Sequence, residues 1–259
     1  MSDILGERDD AVPDVTTRVA EPSRESQLPK RFYKNVEVQA EDGGFALLLD
    51  GKNVRTPGKA LVAVPDAGLA ETLRMEWDAQ GERIDPLTMP LTRLVNTAVD
   101  GVANEMQAVK EDIVRYAGTD AICYRASGPE GLVERQNAAW DPLIDWATTS
   151  LNAPLSIGQG ITYVAQPAPS IAQMSARVGQ VDSPLLLTSL HLMTALTGSA
   201  IIALAVLDGE LSGEEAWHAA HVDEDWNIEE WGADEEATAR RAARWTDMQV
   251  AVNVAETLR

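Results

Sequence analysis

Apolar and polar residues alternate from Phe32 to Val38 at the short period that is typical of β-strands. A turn sequence at 42–44 separates this stretch from an apolar run at 45–49. Residues 60–64 form a further short strand candidate. Short strands joined by tight turns predict a small antiparallel sheet or an open barrel.

Beyond Pro65 the apolar residues recur at steps of three and four, which predicts helices. The first helix should end before Gly81, a second apolar face spans 91–98, and the last helix should begin near Asp234. The apolar face of that last helix consists of Ala242, Trp245, Met248, Val252 and Ala255.

This change of period predicts an α+β fold. A small β-rich N-terminal domain at 30–100 precedes a larger helical C-terminal domain at 101–259. Residues 1–29 contain few large apolar side chains, so we predict a disordered tail. The tail has neither a cationic start nor an apolar run, and its acidic residues are atypical of a mitochondrial presequence. We therefore expect a bacterial cytoplasmic location rather than the mitochondrial matrix.

Residues 184–207 carry no formal charge and are numerous enough to span a bilayer. Several hydroxyl side chains and His191 make the stretch a poor lipid-facing segment, and no Lys or Arg stands close at either end. A buried helical hairpin with a break near Gly198 is the favoured interpretation, and a membrane span is the alternative. We expect no membrane insertion.

The charge balance limits the possible partners. The chain has a formal net charge of -20 at pH 7, so the phosphates of nucleic acids and anionic lipids would repel it. The acidity either keeps the protein soluble or steers a partner, and the sequence leaves both open. With 45% hydrophobic residues the chain has ample material for a core.

Motifs that carry chemistry are scarce. The sequence contains no phosphate-binding loop, no dinucleotide fingerprint and no nucleophile elbow, so we expect neither a catalytic residue nor a cofactor. His218, His221 and Glu224 are the best metal candidates, but on one helix they would fan across roughly 120°, so we predict no metal site. Cys123 lies in an apolar setting that favours a buried, inert thiol.

The segment 208–236 holds twelve acidic residues and no Lys or Arg. Trp217, Trp226 and Trp231 lie within it, and Ala219, Val222 and Trp226 fit one face of a helix. The tryptophans either pack inward from an amphipathic helix or anchor a recognition surface inside a charged rim. Both interpretations can hold for different tryptophans.

Short motifs in a fixed order across about residues 30–236 resemble the F-type ATP synthase assembly chaperones that bind the alpha subunit. The motifs are Arg31-Phe32-Tyr33-Lys34, Leu49-Asp50-Gly51, Val54-Arg55-Thr56-Pro57, Glu76-Trp77-Asp78-Ala79-Gln80-Gly81, Ile84-Asp85-Pro86, Met89-Pro90-Leu91-Thr92-Arg93-Leu94, Asn96, Ala98, Cys123-Tyr124-Arg125, Gln136, Trp140-Asp141-Pro142, Trp146, Thr197-Gly198-Ser199 and Trp231-Gly232. Each motif is weak alone, whereas the ordered set is specific. One departure is Asn227, where the family commonly has Gln.

The resemblance implies a chaperone without turnover that holds unassembled alpha subunit until the beta subunit displaces it. We expect the protein to be a monomer on its own. Glu235 matches a family position tied to chaperone function, although acids at the start of the last helix could simply stabilise it. The predicted partner-binding residues are Glu224, Trp226, Trp231, Asp234, Glu235 and Glu236. The family-motif residues Trp77, Gln80, Met89, Pro90, Leu91 and Thr92 belong either to recognition or to the fold.

Overall fold

A computed structural model of the chain describes residues 28–160 and 162–259. Most of the predicted disordered tail lies outside these ranges, so that prediction stays open. The described chain begins with an antiparallel sheet and continues mainly as helices, which confirms the α+β prediction. The division into domains at residue 100 stays a prediction.

The N-terminal sheet is centred on its second strand. The strands are β1 (Val36–Glu41), β2 (Gly44–Leu49), β3 (Lys52–Asn53) and β4 (Ala63–Val64). β2 pairs antiparallel with each of the other three, in a register that sets Val36 opposite Leu49. Gly44 permits the close approach of β4, since a Cβ there would lie 2.5 Å from the Val64 carbonyl oxygen. Of the two predicted alternatives, the structure therefore shows the antiparallel sheet and not the open barrel.

The strand predicted at 60–64 is shorter than expected. Its last two residues form the strand β4 against β2, the Val62 carbonyl accepts the Leu47 amide of β2 over 3.1 Å, and Leu61 makes an isolated bridge to Arg55. The chain turns tightly just before it: the amide of Lys59 donates to the Thr56 carbonyl, and Lys59 has a φ of 71°. The amide of Thr56 also donates to the Ala60 carbonyl over 2.9 Å, so the first residue of the predicted strand pairs within the turn and not with β2.

The first two helices pack with the N-terminal sheet. Helix α1 (Ala67–Asp78) begins at the predicted position, where the Asp66 carboxylate accepts the amides of Gly68 and Leu69. Helix α2 (Pro90–Asp100) begins with proline at its first turn. Leu69 and Leu73 of α1 share a buried core with β2 and α2.

The remaining helices form the larger core. They are α3 (Met106–Gly118), α4 (Glu130–Ser150), α5 (Ala168–Gly179), α6 (Pro184–Thr197), α7 (Ala200–Asp208), α8 (Gly213–Ala220), α9 (Val222–Trp231) and α10 (Glu235–Leu258). Short strands β5 (Tyr124–Arg125) and β6 (Gly158–Gln159) pair in parallel between them.

Helices α6 and α7 form the predicted buried hairpin, with Gly198 at the break in a left-handed conformation (φ 69°). Every residue from Ala200 to Leu207 is buried. The hydroxyls of Thr188, Ser189 and Thr194 each donate to the carbonyl four residues earlier, so their polar atoms are satisfied inside the core. Of the helices in the described residues, none combines the length and the apolar character that crossing a membrane requires.

Helix α10 ties the two parts of the chain together. It packs against α2, α6 and α7, and Asp247 accepts a hydrogen bond of 2.6 Å from the guanidinium of Arg93 on α2. Val254 from its far end is buried in the core that the sheet and α1 share. The N-terminal half of α10, in contrast, extends beyond that core beside α9.

Candidate protein-interaction surface

The acidic segment folds as two short helices rather than one. The chain breaks at His221 (φ −119°, ψ 20°), so α8 ends at Ala220 and α9 starts at Val222. The prediction that Ala219, Val222 and Trp226 share one helical face is therefore wrong. All three residues nevertheless lie beside α4, Ala219 on α8 and the other two on α9.

Trp217 takes the inward role. It is buried, its ring lies 3.9 Å from the ring of His221, and Trp245 of α10 packs 5.3 Å away. His221 is buried too, and its Nδ1 donates to the Trp217 carbonyl over 2.7 Å. Burial lowers the pKa of His221, so the ring is neutral at pH 7 and belongs to the core.

The side chains of His218, His221 and Glu224 therefore do not converge as the ligands of a metal site would. His218 is 77% exposed, and its nearest carboxylate oxygen, from Asp225, is 3.9 Å away, while His221 faces inward. Across residues 28–160 and 162–259 no three His, Cys, Asp or Glu side chains are grouped as metal ligands would be.

Trp226 is half-buried against α4. A Cβ on Gly131 would lie 2.9 Å from Trp226 Cη2, so glycine lets the indole rest against α4 without a shift. The guanidinium of Arg135 lies 4.9 Å from the ring and also donates to Glu229 of α9 over 2.6 Å. This hydrogen bond lowers the pKa of Glu229.

Trp231 takes the outward role. Its side chain is 84% exposed at the end of α9, and Ile228 one turn earlier is 39% exposed. Gly232, with a φ of 88°, then turns the chain into α10. Between the two helices lies a groove of about 760 Å³, which we call the α9–α10 groove. Its lining comprises Glu224, Asp225, Asn227, Ile228, Trp231, Gly232, Ala233, Asp234, Ala237, Thr238, Arg240, Arg241 and Arg244.

The three acids at the start of α10 differ in their partners. Asp234 is the cap: its carboxylate accepts the Ala237 amide over 2.7 Å. Glu236 pairs with Arg240 one turn on. The Glu235 carboxylate is exposed and makes no hydrogen bond or ion pair to any residue that the structure describes. Helix capping is thus assigned to Asp234. Glu235 faces solvent in the first turn of α10, where its charge also favours the helix dipole, so both predicted roles stay open.

The acids of α9 form a similar mixture. Asp225 accepts a hydrogen bond of 2.5 Å from Arg241, which ties α9 to α10. Glu224 is exposed and lies 3.9 Å from the buried Nε2 of His221. The structure thus brings Glu224, Trp231 and Asp234 to one groove, whereas Glu235 and Glu236 are not among its lining residues. Trp226 lies on the opposite flank of α9.

The family-motif residues lie elsewhere, where α1 meets α2. Glu76 caps α2 from outside, accepting the amides of Leu91 (2.6 Å) and Thr92 (2.8 Å) and the Thr92 hydroxyl (2.7 Å). Trp77 Nε1 donates to the same hydroxyl. Burial raises the pKa of Glu76.

The other members of this set serve the same junction. Gln80 Nε2 donates to the Thr88 hydroxyl and its Oε1 accepts the Asp85 amide. Met89 and Leu91 are buried, and Pro90 opens α2. These contacts favour the fold role over recognition for this set.

A support for α9 was missed from the sequence. Gln136 of α4 is buried and donates to Asp223 over 2.7 Å, while Trp140 Nε1 donates to the Ala219 carbonyl over 2.7 Å. With Arg135 and Gly131, these residues make α4 a platform for α8 and α9. Gln136 and Trp140 were among the resemblance motifs, but the contact partners are 79 to 94 residues away.

The predicted inert thiol is buried as expected. Burial raises the pKa of Cys123 to about 12, so the reactive thiolate does not form near neutral pH. Asp120 is fully buried nearby and accepts the amides of Ile122 and Ile201, joining α7 to the chain after α3.

Comparison with known proteins decides the family. A family model described as ATP12 chaperone protein matches residues 30–148. Atp12 from Paracoccus denitrificans has a solved structure that is 42% identical, covers 89% of this chain and 99% of its own, and superimposes with a TM-score of 0.82. The chain belongs to the ATP12 chaperone family. The resemblance to ATP synthase assembly chaperones is thereby confirmed.

Other ATP12 relatives agree. The Atu1473 protein from Agrobacterium tumefaciens is 53% identical, covers 90% of this chain and 87% of its own, and gives a TM-score of 0.85. The mitochondrial protein atp12 of Schizosaccharomyces pombe is 25% identical over 220 residues, covering 80% of this chain and 75% of its own. The match to the ATP12 family model ends at residue 148, within α4, and so does not include the α9–α10 groove.

Proposed function

We propose that this ATP12-family chaperone binds the unassembled alpha subunit of F-type ATP synthase at the α9–α10 groove. It covers apolar surface of that subunit and prevents its aggregation until the beta subunit displaces it. We further propose that it acts as a monomer in the bacterial cytoplasm, without cofactor or turnover.

The observation that carries the proposal is the exposure of Trp231 beside the α9–α10 groove, with Glu235 exposed four residues further along the chain. An 84% exposed indole beside a groove of about 760 Å³ is an apolar anchor without a partner in the described chain. The Glu235 carboxylate makes no hydrogen bond or ion pair to any residue that the structure describes. Aromatic anchors inside a charged rim are typical of the residues that dominate binding energy at interfaces.

The acidic segment beside the groove suits a basic client surface, while within the groove itself Arg240, Arg241 and Arg244 of α10 stand against Glu224, Asp225 and Asp234. The segment 208–236 holds twelve acidic residues without a Lys or Arg, and the whole chain carries -20. Such a field raises the rate at which a positively charged surface is encountered and repels polyanions. Charge therefore selects the encounter, and the apolar groove supplies the contact that lasts.

The physical need for such a protein lies in the client. A subunit that has not met its neighbours exposes the apolar surface that assembly later buries, and such surface aggregates. A chaperone must cover it and yet be displaced by the true neighbour, so its surface should match only part of that partner. The surface formed by α9 and the α9–α10 groove is small enough to match only part of that partner.

Co-expression of the chain with alpha subunit alone, followed by size-exclusion chromatography, tests the proposal. We expect soluble alpha subunit to elute with the chain as a one-to-one complex. Glu235→Lys should weaken that complex, because it reverses a solvent-facing charge and breaks no internal bond. Glu256→Lys, the same change at another exposed position near the far end of α10, is the matched control. Alpha subunit that stays insoluble beside the wild-type chain contradicts the proposal.

A further inference from the structure

A second groove lies on the other flank of α9, bounded by α4 and α8. It has a volume of about 490 Å³, and we call it the α4–α8–α9 groove. Its apolar lining consists of Ala139, Pro142, Leu143, Leu211, Ala219 and Val222. The small side chains of Ala139 and Ala219 leave the room that a larger side chain from a partner would fill.

The rim of this groove is acidic. Glu215, Asp225 and Glu229 contribute three carboxylates, against the guanidinium of Arg135 and the exposed imidazole of His218. Arg135 pairs with Glu229, and Asp225 pairs with Arg241 of α10, so Glu215 is the one rim carboxylate without an ion pair to a described residue. An occupant therefore meets an apolar floor with net negative charge around it.

The walls of the groove are held at a fixed separation. Trp140 Nε1 bonds the Ala219 carbonyl and so joins α4 to α8. Arg135 joins α4 to α9 through Glu229, and Gln136 does so through Asp223. Because these bonds link α4 to both α8 and α9, the groove is preformed and does not depend on binding to open.

Charge discriminates between the possible occupants. A second copy of this chain would bring another -20 to an acidic rim, and a nucleic acid or anionic lipid would bring phosphates. A segment with apolar side chains flanked by Lys or Arg meets both the floor and the rim. The groove also adjoins the α9–α10 groove, since Asp225 lines both.

We propose, resting on the function proposed above, that the α4–α8–α9 groove receives a basic, apolar segment of the client. The client then holds α9 from both flanks: Trp231 inserts into the client on one side, and a client side chain inserts over Ala139 and Ala219 on the other. Two contacts on opposite flanks of one helix fix the orientation of the client, which a single anchor cannot do.

Filling the groove tests the proposal. Ala139→Trp places a large side chain over the floor from a half-buried position, and Ala138→Trp makes the same change one residue earlier, at an exposed position that does not line the groove. The probe is purified alpha subunit, with affinity measured by biolayer interferometry. We expect Ala139→Trp to weaken binding at least about tenfold and Ala138→Trp less than about twofold. Ala139→Leu serves the same purpose if the larger residue prevents folding.

The outcomes separate the two proposals. Wild-type chain that ignores alpha subunit overturns the proposed function. Wild-type chain that binds, with Ala139→Trp and Ala138→Trp equal to it, overturns only the second groove. A photoreactive residue at position 139 identifies the occupant: crosslinks to an apolar alpha-subunit residue near Lys or Arg support the proposal. Crosslinks to an acidic segment, or to another copy of this chain, contradict it.

Discussion

Truncating Trp231 to alanine separates client binding from folding. The side chain is 84% exposed and lies at the end of α9, so its loss removes little packing from the folded chain. We expect the free energy of unfolding to change by less than about 0.5 kcal/mol, as for other surface substitutions. Any larger effect of Trp231→Ala must then arise in the complex.

The size of that effect follows from the area at stake. A tryptophan that is buried on binding removes about 200 Å² from water. At about 25 cal/mol per Å² this gives an upper value of about 5 kcal/mol. Ordering of side chains and imperfect desolvation reduce it, and aromatic anchors at interfaces measure about 2–4 kcal/mol. Trp231→Ala should therefore raise the Kd for alpha subunit about 30- to 1,000-fold.

Phe32→Ala is the matched control for this truncation. Phe32 is 74% exposed but precedes β1 in the N-terminal sheet region, far along the chain from α9. Biolayer interferometry against purified alpha subunit, with thermal melts of both variants, gives the comparison. A Kd for Trp231→Ala within about threefold of wild type would refute the reasoning. So would an equal loss in Phe32→Ala, because the anchor would not then be specific to α9.

Three further predictions concern the fold and its support of α9. Burial raises the pKa of Asp120 to about 6 from 3.8, so its protonation stabilises the folded state; that contribution is full below about pH 3.8 and is lost as the pH rises to 6. In urea denaturation, the free energy of unfolding of the wild type should fall by about 1.4 kcal/mol between pH 5 and pH 7.5 because of Asp120, and Asp120→Asn should lack this fall. An equal fall in both proteins would contradict the prediction. Glu76→Gln should cost about 1–3 kcal/mol in urea denaturation, because an amide cannot accept all three hydrogen bonds at the start of α2; exposed Glu71→Gln is its control, and equal effects would oppose the capping role. Gln136→Leu should weaken alpha-subunit binding in biolayer interferometry and also lower the melting temperature, since it frees Asp223, loosens α9 and removes the acceptor of the Ala126 amide; unchanged binding would show that the α4 platform is not needed for function.

Features set by neighbouring residues were predictable. The turn at 42–44, the caps at Asp66 and Asp234 and the break at Gly198 each have a local cause in a side chain or a left-handed backbone. The uncharged stretch at 184–207 was correctly interpreted because hydroxyls can bond to their own helix. These causes act over four residues or fewer, which is the range that a pattern in the sequence reports.

Features set by distant residues were not predictable. The break at His221 interrupts a stretch whose spacing suits one helix, and the contacts of Trp217 and Trp245 stabilise the bent arrangement. The support from α4 depends on pairs such as Gln136 and Asp223, which no spacing rule connects.

The cap on α2 is a further long-range case. Its amides are bonded by Glu76, fifteen and sixteen residues earlier, while Met89 at the cap position offers no side-chain bond. The motif matches pointed to these residues without giving their role.

Light scattering of alpha subunit during refolding tests the central claim most directly. Purified alpha subunit is diluted from denaturant alone, with an equimolar amount of this chain, or with an equimolar amount of the Trp231→Ala variant. The proposed mechanism predicts that the wild-type chain suppresses scattering, that the variant does so poorly, and that added beta subunit releases alpha subunit in assembled form. Scattering that is equal with and without the wild-type chain would contradict it.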